Sequence, residues 1–492
     1  MMPLSKDVLD VVLLNLQRYV APQVTTEDGK LTLFLVGYVL GFVHVEENDL
    51  AGLHAERFQA LEPLLQELRS RFAELQPSLP AHAVGDARIA VDEALRDPSN
   101  PDATARAFQS ALVAERNTDQ DLPAWQRRFA EVESTYIEQL TDRMEYWAYG
   151  EGARTVSDFG QRQLTRDLMS GYLRGKFPEH PAIDAQSVVE LPGGFAKKTY
   201  RMKVVNGPTG WDQLIIRQDA IGGPTPLSCI GEVEVLKLAK QHGIPLGEVC
   251  CVEPSDCLDA PFLLVKRVAG VSNLEAWGTR GPDGMLPGEH LAAHVAALHR
   301  IPLSELAHWD ASQTPQQVIW NYIDRFEERW QRDRPIIDPL LQFGFDWLKR
   351  HVPQDIARLS IVHADISDRN ILVDNGTLTA IIDWELWHVG DPMYDLAYIK
   401  PFIERSMPWQ RFVDIYEANG CKVSMANDDY WYIFSEVRNS AMLASGLRTF
   451  MDRRNRNLKT IAPVMGQYRN RLRLGMRRLL PLLGKQRPAG GV

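Results

Sequence analysis

Apolar positions recur at two different periods along this chain, and the period changes near its first third. Phe58, Leu61, Leu64, Leu65 and Leu68 fall at helix spacing, so residues 1–150 read as an all-helical region. Residues 97–102, Asp-Pro-Ser-Asn-Pro-Asp, read as a turn between two of its helices. Residues 31–45 carry no formal charge. That run is short for a membrane span and of the length of a buried helix, and Gly37 and Gly41, four apart, suit close helix packing. From residue 188 the pattern turns to strands. Residues 188–191 and 199–204 flank a glycine-bearing turn, and a third apolar run, 214–217, ends on Arg217. Residues 232–239 read as a helix, 261–270 as a strand leading into a linker, and 291–300 as a helix with Leu291, Val295 and Leu298 on one face. His294 and His299 on that helix read as structural. Farther on, Ile371-Leu372-Val373 and Ile381-Ile382 flank Asp374-Asn375-Gly376, the pattern of a tight hairpin.

The chemistry concentrates around that hairpin. His363 and Asp365 precede it, Asn370 opens it and Asp383 closes it. A hairpin of this register returns Asn370 and Asp383 to one end, where two oxygen donors can hold a hard cation such as Mg²⁺. Asp365 lies upstream on the loop, placed to take a proton from an incoming hydroxyl. The bland alternative is a hairpin that happens to carry surface carboxylates. The spacing His-x-Asp-x-x-x-x-Asn followed by a metal-binding Asp resembles the catalytic loop of the protein-kinase fold.

Over residues from about 155 to about 440, the chain resembles the aminoglycoside phosphotransferase and choline kinase-like group of small-molecule kinases. Gly390-Asp391-Pro392 and Asp395-Leu396-Ala397 repeat a run typical of that group. The resemblance implies an α+β, two-lobed protein-kinase-like fold behind an all-α N-terminal domain. Its small β-rich lobe, 155–268, would bind nucleotide; its large helical lobe, 269–492, would hold the catalytic and acceptor sites and end in basic helices. It implies ATP as phosphoryl donor, Mg²⁺ as cofactor and a small hydroxyl compound as acceptor.

Residue by residue, the resemblance makes Asp365 the catalytic base and Asn370 and Asp383 the metal ligands. Gly193 and Gly194 would cover the phosphates. Arg217 stands where protein kinases carry a phosphate-holding lysine, and Glu232 would orient it; Glu234 lies on another face of the helix. Adenine would bond to the carbonyl of Lys266 and the N–H of Val268. Arginine clamps phosphate through two prongs and keeps its charge. A replaced lysine also marks degenerate kinases, so a catalytically degenerate kinase-fold binding or regulatory module is the second reading.

Composition narrows this picture. A net charge of −10 over 492 residues argues against a general nucleic-acid binder. Cys229, Cys250, Cys251, Cys257 and Cys421 form no Cys-x-x-Cys pair, as expected of reduced thiols in a cytoplasmic protein. Asp7 and Asp10 interrupt the first apolar segment, so no secretory signal is expected. Ala364 replaces the arginine that pairs with a phosphorylated activation loop, and only eleven residues separate Asp383 from Asp395. That is too little chain to dock a peptide, which again points to a small-molecule acceptor. From Arg438 onward there are thirteen basic residues and one acid, Asp452. They read as a cleft wall for an anionic acceptor such as a hydroxyacyl-CoA, as an RNA or lipid contact, or as helix faces that neutralise the acidic N-terminal domain. That domain itself reads as a lid, a docking element or a homodimerisation element.

Overall fold

The computed structural model describes residues 50–73, 80–115, 124–148, 163–191, 197–220, 228–255, 257–333, 338–451 and 458–483. The uncharged run at 31–45 and the turn glycines Gly193 and Gly194 lie outside the described residues. The chain divides into two compact units. One combines residues 1–157, 323–351 and 433–492; the other combines 158–322 and 352–432.

The first unit opens with α1 (Leu50–Ala73), α2 (Ala81–Arg96), α3 (Pro101–Ala114) and α4 (Ala124–Ala148). Leu61, Leu64, Leu65 and Leu68 are all buried, as their spacing predicts. The expected turn between α2 and α3 works as a cap. The Asn100 side chain accepts the N–H groups of Asp102 and Ala103 at 3.1 Å, and Pro101 occupies the first helical position, where its missing N–H costs nothing. A buried Arg57–Glu133 pair at 2.6 Å ties α1 to α4, and stacked Phe108 and Phe129 rings, 4.5 Å apart, tie α3 to α4. Helices Pro339–Arg350 and Leu458–Leu479 also belong to this unit. The Gln109 amide donates to Gln342 at 2.7 Å. Residues 323–351 and 433–492, expected with the large lobe, fall in this unit. Their amphipathic pattern names the face to be buried but not the partner that buries it. The basic C-terminal helix neutralises acids inside this unit: Arg477 bonds Glu138 at 2.7 Å and Arg471 bonds Glu436 at 3.2 Å.

The second unit starts with α5 (Arg166–Lys176) and an antiparallel sheet of β1 (Asp184–Glu190), β2 (Lys197–Val205), β3 (Gln213–Asp219), β4 (Val249–Glu253) and β5 (Phe262–Lys266), in the order β1-β2-β3-β5-β4. Cross-strand pairing sets Tyr200 against Ile216 and Met202 against Leu214, all fully buried. Side chains alternate along a strand, so Lys197, Thr199, Arg217 and Asp219 share the opposite face. Between β3 and β4 lies a short 3₁₀ turn, Cys229–Glu232, that runs into α6 (Val233–Gln241).

Beyond the sheet come α7 (Pro287–His299), β6 (Ser360–Val362), the hairpin of β7 (Ile371–Asp374) and β8 (Thr377–Ile381), β9 (His388–Gly390) paired with β6, then α8 (Met393–Ile403) and α9 (Trp409–Ala418). Asn375 and Gly376 both have positive φ, 47° and 75°, which fits the twist of a two-residue hairpin turn. A Cβ on Gly376 would come within 2.4 Å of the Arg280 backbone, so only glycine fits there. Sheet and α6 make a small β-rich lobe, and the hairpins and later helices make a larger helical lobe. This is the α+β, protein-kinase-like arrangement expected. Among the described residues no helix is long and apolar enough to cross a membrane.

Candidate active site

The loop between β6 and β7 is fixed from below by one carboxylate. Asp395, on α8 and fully buried, accepts the backbone N–H of His363 at 2.8 Å and of Ala364 at 2.6 Å. It also bonds His299 Nε2 at 3.1 Å, and His299 Nδ1 meets the Tyr416 hydroxyl at 2.8 Å. Burial opposes the Asp395 charge, yet His299 and these N–H groups hold its pKa below the ordinary carboxylate value. Ala364 has φ 68°, a left-handed conformation that costs a Cβ-bearing residue about 1–2 kcal/mol. The two bonds to Asp395 stabilise that bend, which leads directly into Asp365. Replacing Asp395 by Ala would leave two buried N–H groups and His299 without this partner. We expect a loss of about 3–5 kcal/mol, read as a fall in Tm of roughly 10 °C. A Tm unchanged from wild type would mean the loop is held by other contacts.

His363 is the second fixing point. Its Nδ1 accepts the Asp365 N–H at 3.3 Å, so Nε2 carries the proton and donates to the Ile382 carbonyl at 3.1 Å. Burial holds its pKa below the ordinary value, so it stays neutral. It thereby ties the loop to the strand end that carries Asp383, and the Trp384 ring packs on it at 4.6 Å.

The hairpin register does what the sequence implied. The Ile382 N–H bonds the Asn370 carbonyl at 2.9 Å, which sets Asn370 beside Asp383. The Asn370 amide donates to Asp365 at its backbone oxygen, 2.8 Å, and at Oδ2, 2.9 Å. The Tyr398 hydroxyl donates to Asp365 Oδ1 at 2.7 Å. Asp365 is thus held at both oxygens. Asp383 is only partly buried and has φ 68°, a region that Asp tolerates better than most side chains.

Arg217 reaches this point from β3. Its Nη2 lies 3.2 Å from Glu232 Oε2 and 3.0 Å from Asp383 Oδ1. Burial works against the Arg217 charge, but Glu232 and Asp383 outweigh it and hold its pKa above the usual arginine value. Glu234 is engaged elsewhere, accepting the Ala307 N–H at 2.5 Å. Lys266 ends β5 and Val268 follows it, both half-buried. Glu385 lies nearby, with burial and then the Asp383 charge pushing its carboxyl well above the usual range.

Asp365, Asn370, Asp383, Arg217 and Glu232 therefore converge, while Lys266 and Val268 stand at the end of the sheet. Sequence reasoning missed Tyr398 and the buried Lys197. For Tyr398, 33 residues from Asp365, no sequence signal pointed to the contact. For Lys197, its strand alternation with Arg217 was a usable signal. The donor set fits Mg²⁺: Asp383 offers a carboxylate facing the cleft, and Asn370, its amide N–H group taken by Asp365, offers an amide oxygen. Among the described residues no group of three or more His, Cys, Asp or Glu could hold a metal ion. A metal here would accordingly complete its shell with phosphate oxygens and water.

Residues 187–427 match the model of the phosphotransferase enzyme family. Acyl-CoA dehydrogenase family member 10 of Mus musculus is 24% identical over 247 residues, covering 48% of this chain and 22% of that protein. An aminoglycoside 3'-phosphotransferase of Enterococcus faecalis is 27% identical over 111 residues, covering 22% of this chain and 40% of that protein. This chain thus spans less than half the length of either relative. The crystal structure of choline kinase LicA from Streptococcus pneumoniae aligns with a TM-score of 0.42 at 18% identity, covering 62% of this chain and 98% of that one.

Proposed function

We propose that this protein, whose residues 187–427 match the model of the phosphotransferase enzyme family, transfers the γ-phosphoryl group of ATP to a hydroxyl of a small molecule. The observation that carries the reading is Asp365, held by Asn370 and Tyr398 on a loop that His363 ties to the strand end beside Asp383. In the reaction the acceptor oxygen bonds to the γ-phosphorus as the bond to ADP breaks. Asp365 takes the acceptor's proton. Arg217 holds the nucleotide phosphates, and Glu232 fixes its direction. Backbone at Lys266 and Val268 would receive adenine. Asn370 and Asp383 would hold Mg²⁺, which supplies positive charge where the phosphoryl oxygens need it. The presence of Asp365, Asn370 and Asp383 together favours transfer over the degenerate, non-catalytic module.

The test is the purified chain with ATP and Mg²⁺ against a pooled hydroxyl-metabolite library, read by mass spectrometry for a gained phosphate. The pool should include amino alcohols, aminoglycosides, sugars and hydroxyacyl-CoA thioesters, the last because one relative carries an acyl-CoA dehydrogenase name. Nucleotide binding without transfer to any pool member would favour the binding-module reading.

The Arg217–Glu232 pair gives a finer test. Arg217→Ala should raise the ATP requirement and lower turnover together, and Arg217→Lys should recover only part, since a point charge cannot make a two-pronged contact. Glu232→Gln should act as a weaker Arg217→Ala, and the double variant should cost less than the sum. Strict additivity in kcat/KM for ATP would show that the two do not act as a pair.

A further inference from the structure

Helix α8 holds the loop of Asp365 at two points. Asp395 and Tyr398 lie three residues apart on it, a spacing that sets them on one face. The buried Asp395 carboxylate accepts the backbone N–H groups of His363 and Ala364. The Tyr398 hydroxyl donates to Asp365 Oδ1 at 2.7 Å. One helix face thus fixes both the backbone that leads into Asp365 and the carboxylate itself.

The Tyr398 tie differs from the one Asn370 makes. Asn370 sits on the same loop as Asp365, so its bond to Oδ2 at 2.9 Å travels with the loop. The Tyr398 bond comes from a separate element. A carboxylate on a fixed backbone can still turn about its side-chain torsions, and donors to each oxygen from two elements oppose that turning. The donor on α8 is also a neutral phenol. A lysine or arginine there would pair with the Asp365 charge, whereas a phenol orients the carboxylate and leaves it an anion. The Tyr398 ring is half-buried, its centroid 6.3 Å from that of Phe402 one turn on. A phenylalanine would serve that packing equally well, so packing does not call for the hydroxyl.

We propose that Tyr398 is a positioning residue for phosphoryl transfer, its hydroxyl holding the Asp365 carboxylate in the orientation that takes the acceptor's proton. The proposal rests on the kinase reading above and adds to it a residue outside the His-x-Asp-x-x-x-x-Asn spacing. Tyr398 acts through Asp365, so it should govern the rate of transfer and not the binding of ATP.

The experiment is a double-mutant cycle on the full chain: wild type, Tyr398→Phe, Asp365→Asn and the two together, with ATP, Mg²⁺ and an acceptor drawn from the metabolite pool. It reads kcat, KM for ATP and for the acceptor, and the rise in Tm that ATP gives. Tyr398→Phe should lower kcat about 10- to 100-fold, the cost of a misdirected reacting group. Both KM values and the ATP-dependent rise in Tm should stay at wild-type levels. In the Asp365→Asn background the same change should cost less than about twofold, because the group it positions is gone. An undiminished kcat, or an equal loss in both backgrounds, would overturn the proposal. So would a raised acceptor KM at unchanged kcat, which would make the hydroxyl an acceptor contact. A Tyr398→Phe chain that does not fold would overturn it too, leaving the hydroxyl as a structural tie. A wild-type chain that phosphorylates no pool member would count against the kinase reading itself, and the proposal would fall with it.

Discussion

Asp365→Asn should lower turnover about 10²- to 10⁴-fold while ATP still binds. This loss corresponds to roughly 3–5 kcal/mol in the activation barrier. On the proposed mechanism the change removes the group that would take the acceptor's proton but keeps its shape. The Asn370 amide and the Tyr398 hydroxyl both donate to the carboxylate. An amide side chain has one acceptor oxygen for these two donors and cannot take up a proton at neutral pH. The nucleotide contacts through Arg217 do not involve Asp365, so ATP-dependent thermal stabilisation should persist. The measurement is steady-state turnover with an acceptor drawn from the metabolite pool, beside thermal shift with ATP. Full turnover in this variant would remove Asp365 from the mechanism and leave water to take the proton.

Asp383→Ala should abolish the stabilisation that Mg-ATP gives. At a ligand concentration of about 100 times Kd, binding stabilises a folded chain by about 2.7 kcal/mol, seen as a Tm rise of roughly 5–10 °C for a domain of this kind. In the variant that rise should disappear. The carboxylate does two jobs in this structure: it faces the cleft beside Asn370, and it accepts Arg217 at 3.0 Å. Its loss would remove the proposed charged metal donor and one restraint on Arg217. Asn370→Ala should weaken the stabilisation less, because an amide is a neutral ligand. Without ligand, Asp383→Ala should itself unfold somewhat below the wild-type temperature, because it takes one of two acidic partners from the buried Arg217 and puts alanine at a positive φ, so the Mg-ATP effect is read as each protein's own rise in Tm. Equal Mg-ATP stabilisation in wild type and Asp383→Ala would mean that the metal sits elsewhere.

Much of the site could be read from the chain because its spacing is set by short-range backbone geometry. A two-residue turn at Asn375-Gly376 fixes the register of β7 and β8, and that register alone returns Asn370 to Asp383. The buried stripe of α1 and the cap at Asn100 were legible for the same reason, since residues within one or two turns act on each other. Tyr398, Asp395 and His299 came to the loop only through tertiary packing. Each lies 30 residues or more from the loop residue it supports, and no local pattern encodes which carboxylate will receive the N–H of His363 and Ala364. The same limit explains the C-terminal helices. Their apolar faces and thirteen basic residues were visible in the sequence, but the first unit of the structure decided that Arg477 meets Glu138. The sequence by itself determined the strands, the hairpin and the order of the reactive groups, because these follow from period, turn chemistry and chain connectivity. Only the tertiary structure decided that Arg217 is shared between Glu232 and Asp383, and that Lys197 stands on its face of the sheet. Those choices depend on how a helix start and two strands pack in space, where the free energy is set by burial and charge pairing between distant segments.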